Sequence, residues 1–93
     1  SADLKAIAEI QGEKADLDRK IDSLSSQKQD IYAAQDRIRE NVKAVGPGDL
    51  RDSYLDTMRD QEDQLKAIDR EIASLKSQRE DVDARLREKI GAI

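Results

Sequence analysis

A seven-residue spacing of aliphatic side chains runs along both sides of a single Gly-Pro-Gly, and this spacing restricts the fold more than any other feature. Taking every seventh residue from Ile7 as heptad position a gives Ile7, Lys14, Ile21, Lys28, Gln35 and Val42. Position d, three residues on, is Ile10, Leu17, Leu24, Ile31, Ile38 and Val45, all aliphatic. After the break, a is Met58, Leu65, Ile72, Arg79, Leu86 and Ile93, and d is Tyr54, Gln61, Ile68, Leu75, Val82 and Lys89. A straight helix repeats every 3.6 residues, so a strict seven-residue pattern sustained this long predicts a left-handed coiled coil.

Gly46-Pro47-Gly48 holds the only proline and the only mid-chain pair of glycines. The residues around it are mostly Ala, Leu, Glu, Lys, Gln and Arg, all strong helix formers. Gly46 fits a left-handed helix C-terminus, Asp49 a side-chain N-cap, and Asp52 the positive end of the next helix. The expected fold is all-α and fills residues 1–93 as one antiparallel two-helix coiled-coil hairpin. Its helices span about 2–45 and 50–91 around a tip at 46–49, and so short a connection makes them antiparallel neighbours. Each arm of about 42 residues makes a rod on the order of 60 Å long.

The turn also sets which residues meet. With the tip centred on Gly48, the numbers of facing residues add to about 96. Val42 then faces Tyr54, Ile38 faces Met58, Leu24 faces Ile72, and Ile10 faces Leu86. Gln35 falls opposite Gln61 in one amide layer. Polar seam residues cost stability but select one alignment, so Gln35, Gln61, Lys14, Lys28 and Arg79 are expected to set the register. Long cationic stems can lie along the apolar stripe while their heads reach a charge. The register brings Lys14 near Asp81 and Asp83, Lys28 near Asp69 and Glu71, and Arg79 near Asp16 and Asp18. It also brings Glu13 within reach of Arg85, and Asp18 within reach of Lys76.

The chain has no His and no Cys, which excludes zinc fingers, haem sites, thiol catalysis, the Ser-His-Asp triad and disulfide scaffolds. No apolar run is long enough to span a bilayer, so no membrane insertion is expected. Carboxylate pairs such as Asp56/Asp60 and Glu62/Asp69 occur at helical spacing. With 21 acidic residues such pairs arise by chance, and a rod offers no pocket to perturb them. Gly46-Pro47-Gly48 lacks the Lys-Ser/Thr of a phosphate loop. No catalytic residue, cofactor site or metal site is expected. The net charge of −4 and the interleaved signs oppose nucleic-acid binding, because phosphate neutralisation needs a basic face. The one basic cluster, Arg37, Arg39, Lys43 and Arg51, is diluted by Asp36, Glu40 and Asp49.

A two-helix rod has one seam and buries little, so such folds are marginal alone. Apolar residues off the seam widen the stripe: Tyr32 and Leu55 at e positions near the tip, with Leu4, Ile90 and several alanines. Tyr32, Leu55 and Ile90 are therefore the expected contact residues. The expected partner is a second copy, giving a homodimeric four-helix bundle, or the rest of a parent protein. The pattern is still running at Leu4 and at Lys89-Ile90-Gly91-Ala92-Ile93, as in a segment of a longer chain. The expected role is a non-catalytic spacer, arm or oligomerisation element. The alternatives are a nucleic-acid-binding helical arm, like the hairpin of seryl-tRNA synthetase, and a chaperone-like client-binding arm, as in prefoldin.

The tip-proximal stretch is the most distinctive. It reads Gln35-Asp36-Arg37-Ile38-Arg39-Glu40-Asn41-Val42-Lys43-Ala44, then the Gly-Pro-Gly, then Leu50-Arg51-Asp52-Ser53-Tyr54-Leu55 and Gln61-Glu62-Asp63-Gln64-Leu65. Residues from roughly 30 to 75 resemble the C-terminal coiled-coil segment of the bacterial mucoidy-inhibitor-like family of unknown function. That resemblance implies β-rich domains upstream in the parent and no assigned enzymatic activity.

Overall fold

A computed structural model describes residues 1–93 as two antiparallel helices, α1 (Ala2–Ala44) and α2 (Asp49–Gly91), with no strand. They form a rod of 69 × 15 × 13 Å. The length is close to 1.5 Å for each of the 43 residues in either helix.

Local chemistry explains each helix end. The Ser1 hydroxyl caps α1 by accepting from the Leu4 N–H at 3.3 Å, and Asp3 places negative charge on the first turn. At the tip the sequence expectation needs correcting in two places. Gly46 does not adopt a left-handed conformation; α1 ends instead through an extended Val45 (φ −117°, ψ 143°). Gly46 precedes Pro47, which disfavours helical backbone there, so the chain leaves the helix one residue early. Asp49 is also not the cap but the first helical residue of α2. Gly48 takes the cap position with φ +152°, open to glycine and rarely to other residues, and its carbonyl accepts from the Asp52 N–H at 3.0 Å.

The packing follows the heptad reading. Every one of the ten buried residues lies at a predicted a or d position. Ile10, Leu17, Ile21, Leu24, Ile68, Leu75 and Val82 form one contiguous core, with Ile31, Ile72 and Leu86 half-buried against it. Beyond the Gln35/Gln61 layer the seam thins: Ile38, Val42, Val45, Tyr54 and Met58 are only half-buried. Lys89, expected in the seam, is exposed, as is Ile93. They lie at the open end, where no following turn covers them.

Candidate interaction surface

In an antiparallel pair the e positions of both helices line one side of the seam and the g positions the other. The two grooves flanking the core show this arrangement. One is lined by the e residues Ser25, Tyr32, Asp69 and Lys76 with the a residues Lys28 and Ile72. The other is lined by the g residues Glu13, Lys20, Gln78 and Arg85 with the d residues Leu17 and Val82. Position a adjoins e, and position d adjoins g. All the polar seam residues of α1, and Arg79 of α2, are at a. The e side therefore carries the polar half of the seam, and the g side is underlain by the mostly aliphatic d row.

The register-setting cations all bond toward the e side. Lys14 Nζ lies 2.8 Å from Asp83 Oδ1, Lys28 Nζ donates to Asp69 Oδ1 at 2.5 Å, and Arg79 Nη1 donates to Asp18 Oδ1 at 3.0 Å. Each acid is one the register had placed beside that cation. Asp18 pairs with Arg79 and not also with Lys76 as expected; Lys76 makes no ion pair. On the g side a single cross-helix pair forms, Arg85 Nη1 to Glu13 Oε2 at 2.8 Å. Two of these pairs shift titration. The hydrogen bond from Lys14 holds the Asp83 carboxyl below its ordinary value, against the opposing effect of desolvation. The hydrogen bond to Asp69 raises Lys28 above its ordinary value, again against desolvation.

The amide layer forms, but its two members do not bond to each other. Gln35 is the most buried side chain of the molecule at 2% exposure, and Gln61 is 8% exposed. Gln35 Nε2 donates to the Glu62 carboxylate at 2.7 Å, whereas Gln61 Oε1 is buried without a partner. A carboxylate is the stronger acceptor, and Glu62 occupies an e position next to Gln61. Gln35 thus follows the same a-to-e geometry as the three cations.

The expected contact residues do not form one patch. Tyr32 is 42% exposed and Leu55 half-buried, and both are on the e side. Along the rod Leu55 lies level with about residue 41 of α1, some nine residues or about 14 Å from Tyr32. Tyr32 packs beside the ion pair, with Lys28 Nζ 5.9 Å from its ring centroid. Ile90 is 53% exposed at the other end of the rod, near Leu4 and Ile93. Within the basic cluster near the tip, Arg39 bonds Asp36 and Lys43 bonds Glu40, whereas Arg37 and Arg51 form no ion pair. No group of three or more acidic residues is placed to hold a metal ion, and no helix is long and apolar enough to cross a membrane.

The folded hairpin also exposes a symmetry that heptad reading passes over. Leu17–Ala33 and Ile68–Ala84 are copies of one pattern, identical at nine of seventeen positions. Their shared core reads Ile-x-Ser-Leu-x-Ser-Gln-Lys/Arg-x-Asp-Ile/Val, starting at Ile21 and Ile72. A half-turn perpendicular to the rod, passing between the Ile21–Leu75 and Leu24–Ile72 layers, exchanges the two copies. It carries the Lys28–Asp69 pair onto the Arg79–Asp18 pair. Outside the seam, the f residues opposite it match at all three positions, the c and g residues at three of four, and the b and e residues only at Asp18/Asp69, both of which bond to seam cations. The signal was present in the sequence as a self-match at a fixed offset. No protein-family model, curated protein or solved structure matches the chain.

Proposed function

We propose that the chain is a non-catalytic coiled-coil arm that holds a fixed span and offers its outer faces to other protein surfaces. The single observation that carries this reading is the 69 Å rod held in one alignment by a continuous seam and directed ion pairs. A spacer needs a length that does not drift. Slipping this hairpin by one heptad in either direction would take Lys14 off Asp83 and set it beside Ile90 or Lys76, and take Arg79 off Asp18 and set it beside Ser25 or Gln11. The side grooves are shallow and open to water, which suits contact with surfaces more than enclosure of a substrate. The resemblance of residues 30–75 to a coiled-coil segment of larger bacterial proteins agrees with an arm carried by a parent chain. Paired spin labels at the tip (Gly46→Cys) and on α1 near the open end (Glu9→Cys) test the reading. A narrow distance distribution on the order of 55 Å is expected from the rise of the helix. A broad distribution, or one centred at half that distance, would overturn it.

A further inference from the structure

From the difference in the seam across the amide layer we infer that residues 36–60, the tip of the hairpin, open and close as a unit of their own while the rest of the rod stays folded. This goes beyond the reading as an arm: the shaft keeps its length, and the tip gives.

The two sides of the Gln35/Gln61 layer are tied differently. Every hydrogen bond or ion pair that crosses between the helices is at that layer or on its open-end side: Gln35–Glu62, Lys28–Asp69, Arg79–Asp18, Lys14–Asp83 and Glu13–Arg85. On the tip side each ion pair stays within one helix: Asp36–Arg39, Glu40–Lys43 and Asp56–Arg59. The sequence supplies the reason. The a-to-e geometry that gives the other polar seam residues their acids sets Leu55 before Val42 and Gly46 before Arg51, so the half-buried Arg51 reaches no carboxylate. Burial changes at the same place. None of residues 36–60 is buried, whereas the contiguous core from Ile10 to Val82 lies wholly on the other side of the layer. The layers Ile38/Met58, Val42/Tyr54 and Val45/Arg51 are thus closed by half-buried contacts alone.

The amide layer itself favours opening. Gln61 Oε1 is buried without a partner in the closed hairpin. It reaches water once the layers beyond it part, so opening recovers the cost of an unmade hydrogen bond. Releasing the tip also frees its backbone, and closing the longer loop costs only slightly more, because that cost rises with the logarithm of length. Opening stops at the layer, since Leu65 is buried behind it and the Lys28–Asp69 pair clasps the next turn. A segment with few buried contacts opens at a lower free energy than the whole fold. The open form is a minor one, so the mean span of the rod is unchanged.

Amide hydrogen exchange on the whole chain, read residue by residue, tests the inference. Protection of residues 38–45 and 51–58 should be at least tenfold lower than that of residues 17–28 and 68–79. Leu75→Ala weakens the shaft. It should lower shaft protection at least tenfold and leave tip protection unchanged within about twofold, because the open-tip form still contains the packing around Leu75. Gln61→Leu should raise tip protection by about fivefold, by removing the unpaired oxygen that opening relieves. Should Leu75→Ala fail to fold, exchange of the unchanged chain in low urea provides a second measurement. Tip amides should then respond to urea less steeply than shaft amides, because their opening exposes less surface. Equal protection in tip and shaft overturns the inference, as does a common fall in both in Leu75→Ala, a common urea slope, or unaltered tip protection in Gln61→Leu. Each of these leaves the spin-label span untouched, and a broad span with a clear step in protection would remove the arm reading alone.

Discussion

The two long sides of the hairpin are built from the same heptads and do different work. The e side gathers Lys14, Lys28, Arg79 and Gln35, each bonded to a carboxylate on the facing helix. The g side lies over the aliphatic d row and has one cross-helix pair, Glu13–Arg85, near the open end. The difference follows from the wheel: a leans toward e, d leans toward g, and the polar seam residues are almost all at a. Alignment is therefore recorded on one side, while the d row beneath the other supplies most of the apolar burial.

The heaviest way to break this division is to cut the d row. Leu24 and Leu75 are both buried and exchange under the internal half-turn. Leu24→Ala and Leu75→Ala should each cost about 2–4 kcal/mol, as cavities in packed cores do. Because their surroundings are quasi-equivalent, the two losses should agree within about 1 kcal/mol by urea unfolding. A larger gap would show that the half-turn does not extend to the packing.

The amide layer gives the next effect and separates its two members. Gln61 keeps a buried carbonyl oxygen without a partner, whereas Gln35 has a charge-assisted bond to Glu62. Gln61→Leu should stabilise the chain by on the order of 1 kcal/mol, by removing an unsatisfied acceptor and adding apolar contact. Gln35→Leu gains the contact but gives up the bond, so its benefit should be smaller. Equal gains, or a loss at Gln61→Leu, would show that the two amides are bonded to each other in solution.

These contrasts mark how far the sequence could be read. The fold, the seam residues and the acids beside Lys14, Lys28 and Arg79 were legible, because a short tip and an unbroken repeat leave one antiparallel register. The bond from Gln35 was not, since heptad letters say which residues share a layer and not which acceptor an amide prefers. Glu62 is next in sequence to the expected partner, and its charge decides. The cap at Gly48 was misplaced by one residue because Pro47 acts on the residue before it and Gly48 accepts a backbone angle that Asp49 does not. The repeated c, f and g residues were present in the sequence but hidden, because heptad reading discards the positions outside the seam.

Ion pairs give a smaller effect and compare the two sides directly. Lys28 is partly sheltered, with its side chain 23% exposed, whereas Arg85 and Glu13 are 54% and 49% exposed. Double-mutant cycles with Lys28→Met and Asp69→Asn, and with Arg85→Met and Glu13→Gln, should both return small couplings. The e-side cycle should be the larger, and it should persist better when salt is raised. The half-turn adds that the Arg79→Met and Asp18→Asn cycle should resemble the Lys28 one more than the g-side one.

The smallest effect is in the response to pH, and its sign differs for the two shifted groups. The folded Asp83 carboxyl titrates below its unfolded value of about 3.9, because Lys14 donates to it. Between those two values the unfolded chain binds more protons, so stability rises with pH there. The contribution of Asp83 is complete above about pH 5 and is lost as pH falls through its folded value. Lys28 runs the other way. Its folded value lies above the unfolded value of about 10.4, so its contribution is complete at neutral pH and is lost as pH rises through the folded value. Thermal melts at pH 3, 5 and 7 on the parent and on Asp83→Asn isolate the acid limb from the other carboxylates. The variant should be slightly less stable at pH 7 and should lose less on acidification than the parent does, with the difference shrinking in high salt. Parallel acid limbs in the two proteins would mean that Lys14 and Asp83 are too mobile in solution to couple. The alignment of the open half would then rest on Arg79–Asp18, Glu13–Arg85 and the aliphatic row.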